Sequence, residues 1–111
     1  MCIAFVKVVV PKDGYISGLK KLCEEFNVLL IADEVQTGIG RTGYELAVNH
    51  DNCKPDIVVL GKALSGGVMP VSAVMASDEV MLTLKPGEHG KIHFFSSLFH
   101  TSSHSVLIFL F

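Results

Sequence analysis

Two short apolar runs stand out along the chain. Residues 28–32 read VLLIA and residues 57–60 read IVVL; Asp33-Glu34 follow the first and Gly61-Lys62 the second. Continuous apolar runs of this length, bounded by turn signals, predict strands buried on both faces, as in a parallel sheet. A further run, residues 4–10, is apolar and β-branched and predicts another strand, closed by a turn at Pro11-Lys12-Asp13-Gly14. Beyond that turn the period changes. Ile16, Leu19, Leu22, Cys23 and Phe26 recur at helical spacing, with Lys20, Lys21, Glu24 and Glu25 opposite, so a helix is predicted over 15–26, ended by Asn27. Gly18 weakens it by up to ~1 kcal/mol. Strand, helix and strand form a βαβ unit whose crossover should be right-handed. Farther on, residues 50–55 predict a polar loop and 70–76 another strand, with Pro70 at its start rather than its centre. Ser77 predicts the N-cap of a short helix through Leu84, with Asp78 and Glu79 in the first turn where acids are favoured. Lys85-Pro86-Gly87 predicts a turn. The class expected is α/β, a mainly parallel sheet with flanking helices.

The polar positions that interrupt this pattern carry the candidate chemistry. In open α/β sheets, chemistry gathers at the carboxyl ends of the strands. Asp33 and Lys62 each follow such an end. A lysine amine can form a Schiff base with a carbonyl. A carboxylate facing the ring nitrogen of pyridoxal phosphate keeps that nitrogen protonated, the condition under which the cofactor is an electron sink. An acid and an amine at two strand ends therefore suit a pyridoxal site. On spacing alone the same residues also read as a turn or cap and a surface lysine.

The glycine run at residues 38–43, GIGRTG, matches G-x-G-x-x-G letter for letter. The dinucleotide fingerprint needs its first glycine directly after a strand and a helix opening at the third. Here residues 33–37 intervene, two carboxylates would face the pyrophosphate, and only a short helical pattern over 44–48 follows. A flexible glycine turn with Arg41 at the surface or an interface is the better reading. After Lys62, the run Ala63-Leu64-Ser65-Gly66-Gly67 predicts a loop in which the backbone can approach a ligand closely; Ser65 is expected to bond locally and to take no catalytic part. His100 and His104, four apart, could share a helix face, but a third metal ligand is lacking.

Length and charge narrow the field. A chain of 111 residues suggests at most one domain, able to bury ~65% of its unfolded surface. Half the residues are hydrophobic and 18% charged, which excludes a disordered chain. The net charge of −2 offers no electrostatic attraction for nucleic acid or an acidic membrane. Cys2, Cys23 and Cys53 show neither CxxC spacing nor a disulfide framework, so a reducing compartment is expected. The terminal VLIFLF is too short to span a bilayer, and Lys7 interrupts the opening apolar run, which lacks a signal-peptide layout.

Taken together, IADEVQTGIGRTG and DIVVLGKALSGG resemble the cofactor-attachment signature of the class III pyridoxal-phosphate-dependent aminotransferases, the ornithine and 4-aminobutyrate group. The flanks VVVPKDGY and LKPGEHG are similar to its ornithine branch. The resemblance covers about residues 8–90. It implies part of the large, cofactor-binding domain of a fold-type I transferase. Lys62 would be the lysine joined to pyridoxal 5'-phosphate, and Asp33 the partner of the pyridine nitrogen. Val35 would pack on the ring face, and Gln36 would hydrogen-bond the ring hydroxyl. The reaction implied moves the δ-amino group of ornithine to 2-oxoglutarate, giving glutamate 5-semialdehyde and glutamate. A homo-oligomer, dimer or higher, is implied, in the mitochondrial matrix or otherwise the cytoplasm, with small-molecule substrates and neither nucleic acid nor membrane as partner. A 4-aminobutyrate or acetylornithine type, or an inactive truncated or mis-spliced product, are the alternatives.

The likeness breaks after Glu88-His89-Gly90. The family continues with Ser or Thr, an aromatic and Gly-Gly-Asn-Pro; this chain continues Lys91-Ile92-His93-Phe94-Phe95. The family's threonine at that point, its upstream phosphate loop and its substrate-binding arginines are not matched, so the chain alone is expected to be inactive. Residues 1–90 are thus expected to be partial transferase domain and 91–111 an unrelated apolar tail. Gly90-Lys91 can be encoded GGT-AAG, which contains the usual start of a spliceosomal intron, and the tail's Phe, Ser, Leu and Ile content suits translated intron.

Overall fold

The computed structural model describes residues 9–83 and, as backbone, two strands over 96–100 and 104–110. The expected strand over 4–10 falls almost wholly outside the described residues, and with it the hand of the first crossover. The turn at Lys85-Pro86-Gly87 also lies outside them.

Helix α1 runs Tyr15–Glu25, and strand β1 follows at Ile31–Asp33. A 3₁₀ turn at Ala47–Asp51 precedes β2, Ile57–Leu60. A second 3₁₀ turn, Lys62–Ser65, leads to β3, Val71–Ser77, and to a short helix α2, Asp78–Met81. Strands β4, Ser96–His100, and β5, His104–Leu110, complete a five-stranded sheet of order β1-β2-β3-β5-β4.

The α/β class is as the pattern predicted, and so is the parallel pairing of the two apolar runs, with Ile31 opposite Ile57 and Asp33 opposite Val59. The rest of the sheet is antiparallel, β2 to β3, β3 to β5 and β5 to β4, so the sheet is mixed rather than mainly parallel. Connection length explains the difference. A parallel return needs a crossover of about a dozen residues or more. The segment between β1 and β2 is long enough, whereas the turn from Gly61 to Pro70 simply reverses the chain.

Burial along β2 alternates. Val58 and Leu60 are buried while Ile57 and Val59 are half-buried. With Ala73 opposite Leu60, they form a small core against which Leu46, Leu64 and Met75 pack. One face of β2 is therefore covered by the loop before it and the 3₁₀ turn after it; the other is only partly covered. Helix α1 has no buried residue, and Leu22 and Phe26 on its apolar face are exposed.

Two carboxylates from the loop ahead of β2 tie α1 in place. Asp51 accepts the N–H of Gly14 at 3.0 Å and of Ile16 at 2.8 Å, capping the helix from outside its own sequence. Asp56 accepts the Lys20 ammonium and the N–H of Leu30. Asp56 thereby joins three elements. The predicted 50–55 loop is partly ordered as the end of the 3₁₀ turn, with Cys53 buried behind it. Ser77 stands at the N-cap of α2 as expected, without a side-chain cap bond, and the helix ends at Met81.

Candidate active site

Asp33 is the last residue of β1 and lies in register with Val59, so the end of β1 sits beside the end of β2, one strand spacing of about 4.8 Å away. Its side chain is exposed, and Oδ1 accepts the N–H of Val35 at 3.1 Å, bending the chain directly after the strand. The second carboxylate oxygen is the one left for a ligand.

Strand alternation sends the next side chain to the other side. Glu34 is 3% exposed. It accepts a hydrogen bond from the Thr37 hydroxyl and another from the N–H of Val48 at 2.9 Å. The motif alone presents Asp33-Glu34 as an acid pair and assigns Glu34 nothing. Its spacing of three residues from the Thr37 hydroxyl was the available signal; the partner at Val48 left none.

Past β2 the chain turns sharply. Gly61 is buried, and a Cβ there would meet the Val35 side chain at 3.3 Å. Lys62 has φ of 43°, in the left-handed region that non-glycine residues rarely occupy. Its Nζ donates to Gln36 Oε1 at 2.9 Å. Three residues named from the sequence, Val35, Gln36 and Lys62, are thus brought to one place, with Asp33 at the base of the same turn. Ser65 bonds locally, donating to the Met69 carbonyl.

The glycine run does not have the setting of a dinucleotide fingerprint. Gly38 follows a turn, its N–H donates to the Glu34 carbonyl at 2.9 Å, and bends rather than a helix follow Gly43. Arg41 is exposed. The Tyr44 and His50 rings meet beside this loop with centroids 4.4 Å apart and planes tilted by 59°, and His50 Nε2 lies 3.0 Å from the Thr42 carbonyl oxygen. His100 and His104 fall on two antiparallel strands instead of one helix face, His100 opposite Ser105 and His104 opposite Ser77.

Two broad clefts flank the sheet. One, of about 690 Å³, is lined by Asp33, Glu34 and Thr37 together with Ile16, Leu19 and Val10; the other, of about 740 Å³, lies between Lys20, Asp56 and Met75. Lys62 and Gln36 line neither. The site they form is an open corner between two turns. Chemically it holds a primary amine and a carboxamide beside an apolar valine, while the free Asp33 carboxylate oxygen, at the start of the same turn, lines the first cleft. That set can attach a carbonyl compound, steady a cation and contact a flat ring.

The aminotransferase class-III family model matches residues 7–96, a match that runs beyond Gly90. Over 86 residues, 78% of this chain, the sequence is 62% identical to ornithine aminotransferase of Plasmodium chabaudi chabaudi and 60% identical to the mitochondrial ornithine aminotransferase of Rattus norvegicus. The chain spans about a fifth of the length of these relatives, 21% and 20%. Among solved structures, an ornithine aminotransferase from Plasmodium yoelii superposes with a TM-score of 0.72 at 60% identity, covering 75% of this chain and 22% of that one. The acetylornithine aminotransferase of Elizabethkingia anophelis does so with a TM-score of 0.71 at 55% identity, covering 74% and 20%. With a family match over most of its length and the same backbone course as these enzymes, the chain belongs to the class III aminotransferases.

Proposed function

We propose that this chain carries the cofactor-anchoring corner of an ornithine aminotransferase, with pyridoxal 5'-phosphate as cofactor. The observation that carries the reading is the contact of the Lys62 amine with Gln36, on a turn that also holds Val35 and begins at Asp33. The residues fit such a group by their chemistry: an amine for its aldehyde, a free carboxylate oxygen for its ring nitrogen, a valine for its ring face and a carboxamide for its ring hydroxyl. When bound, the cofactor supplies an electron sink for the pair left behind as the donor's carbon loses a proton.

Each residue then has a task of its own. Lys62 Nζ would hold the cofactor's aldehyde carbon covalently and, when its amine is free, would be the base and acid that moves the proton of the donor's carbon. Asp33 would keep the ring nitrogen protonated with the oxygen that Val35 N–H does not occupy. Val35, next to Gly61, would offer an apolar surface to the ring. The Gln36 amide would orient the ring through its hydroxyl. Overall, the δ-amino group of ornithine passes to 2-oxoglutarate, leaving glutamate 5-semialdehyde and glutamate. A homo-oligomer is the assembly expected from the resemblance. The rat relative and that of Drosophila melanogaster are named mitochondrial, which supports the mitochondrial matrix as location.

The likeness to an acetylornithine aminotransferase at 55% identity supports a second substrate reading within the same family. Both readings use the same four residues. Incubating the chain with pyridoxal phosphate, reducing with borohydride and mapping by mass tests the site. Label at Lys62 is expected, with weak retention and no turnover by this chain alone. Label spread over surface lysines with Lys62 unmodified would overturn the assignment, and brisk ornithine transamination by the purified chain would overturn the expectation of inactivity.

A further inference from the structure

Glu34 is the one charged side chain buried among the described residues. A buried carboxylate is costly unless hydrogen bonds satisfy it, and this one is well supplied. One carboxylate oxygen takes the Thr37 hydroxyl, the other the Val48 N–H at 2.9 Å. The backbone of Glu34 is held as well. Its N–H donates to the Val59 carbonyl at 2.9 Å, and its carbonyl accepts from Gly38 N–H at 2.9 Å. The same residue is therefore fastened to β2, to the far side of its own turn and to the 3₁₀ turn Ala47–Asp51.

The residues with proposed chemistry stand on either side of this fixed point, Asp33 before it and Val35 and Gln36 after it. Gly38 has been kept free of a side chain where the turn closes: a Cβ there would lie 2.8 Å from the Glu34 carbonyl oxygen. Lys62 reaches this turn from β2 and donates to Gln36. Where the Lys62 amine rests thus depends on where the turn is held, and the turn is held by a carboxylate that touches neither Lys62 nor Gln36 in any recorded hydrogen bond.

We propose that Glu34 is a positioning residue for the Lys62 amine: through Thr37 and Val48 it fixes the turn that presents the Gln36 amide oxygen to Lys62. Its bearing on transamination rests on the proposed function; the positioning itself does not. Removing the carboxylate leaves the Val48 N–H and the Thr37 hydroxyl without their acceptor, so the turn shifts and Lys62 loses its partner. A glutamine at the same position keeps an oxygen for Val48 and offers its amide to the Thr37 oxygen, so it preserves the turn without the charge.

The test is competitive trace acylation of the whole 111-residue chain with acetic anhydride, mapped by mass. Lys21, exposed on α1, is the internal standard, and Lys20, held by Asp56, reports loss of the fold elsewhere. Glu34→Leu should raise the Lys62-to-Lys21 labelling ratio by about threefold, the worth of one modest hydrogen bond. Thr37→Val should raise it by less, and Glu34→Gln should leave it near the wild-type value. The Lys20-to-Lys21 ratio should stay constant in Thr37→Val and Glu34→Gln. An unchanged Lys62 ratio in both Glu34→Leu and Thr37→Val overturns the proposal. So does a rise of Lys20 alongside Lys62 in both, since Glu34 would then support the fold at large. Borohydride trapping on the wild-type chain is read separately: failure to label Lys62 there counts against the proposed function and leaves the acylation result to decide the role of Glu34.

Discussion

The Lys20 ammonium lies 2.7 Å from Oδ1 and 2.8 Å from Oδ2 of Asp56, and the same Oδ2 accepts the N–H of Leu30 at 2.8 Å. Lys20 belongs to α1, Leu30 precedes β1 and Asp56 precedes β2. One carboxylate therefore joins the helix to both strands of the parallel pair, and so sets the frame on which Asp33 and Lys62 are carried.

This pair should shape the stability of the chain against pH. The Lys20 hydrogen bond holds the Asp56 carboxyl below the usual carboxylate range, and Asp56 in turn raises the Lys20 amine. A lowered carboxyl contributes fully above its unfolded value, about 3.9, and the contribution is lost as pH falls through the folded value. A raised lysine contributes fully below about 10.4 and loses its share as pH rises through the folded value. Denaturant melts from pH 2 to 7 should show an acid limb that is shallower in Asp56→Ala. With side-chain exposures of 19% and 25% the pair is only partly shielded, so the variant should cost about 1–2 kcal/mol near neutrality, the Leu30 bond included.

Asp51 should control the start of α1. The N–H groups of Gly14 and, next, Ile16 hold its carboxyl below the ordinary range. The stabilisation is present above the unfolded value and disappears as pH falls through the folded one. In Asp51→Ala, amide exchange at Gly14 and Ile16 should quicken and far-UV helical signal should fall. Asp51→Asn, with one acceptor oxygen, should lie between alanine and wild type. Equal protection in all three would show that the cap contributes nothing.

Two glycines should respond to alanine in opposite senses. At Gly38 the added methyl would lie 2.8 Å from the Glu34 carbonyl oxygen and 3.0 Å from Leu60 Cδ2. Gly38→Ala should destabilise by about 1–3 kcal/mol. Gly18 lies inside α1 with nothing within 4 Å of the same methyl, and Gly18→Ala should stabilise by up to ~1 kcal/mol. Urea midpoints of the two variants give the comparison directly.

Lys62 bears a backbone cost at φ of 43°. Glycine takes up that conformation freely, while alanine retains the penalty, which is about 1–2 kcal/mol for an L-residue. Lys62→Gly should therefore be more stable than Lys62→Ala by about 1 kcal/mol, and both should lose the borohydride-trapped label. Equal thermal midpoints would mean that the turn relaxes once the lysine is gone.

All seven residues of β3 are paired with β5, from Val71 opposite Leu110 to Ser77 opposite His104. β5 thus covers this edge of β3 along its whole length. A chain ending at Gly90 should scatter light at lower concentration than the full chain, because an uncovered β3 edge can recruit other strands. A truncated chain that stays monomeric and equally soluble would remove that role.

Much of the local structure follows from the sequence alone. The helical period of Ile16, Leu19 and Cys23 sets α1 to within a residue of its predicted end, because periodicity is a property of the segment itself. IVVL between Asp56 and Gly61 is β2 without change. The candidate residues Asp33, Val35, Gln36 and Lys62 were legible as candidates because they stand in two contiguous motifs.

Tertiary structure decided what depends on a distant partner. VLLIA predicts a five-residue strand, yet only Ile31–Asp33 forms one, since a strand lasts only as far as the neighbour that accepts its hydrogen bonds. The direction of β3 was settled by how short a turn reaches it. Whether Leu22, Phe26 and Ile31 are buried depends on what faces them, and in this chain they are exposed. Glu34 reads as the lesser half of an acid pair until Val48, fourteen positions on, is found donating to it. The Lys62–Gln36 contact spans twenty-six positions. A hydrogen bond of that kind is selected by the packing of two turns against one sheet, and neither turn contains the information by itself.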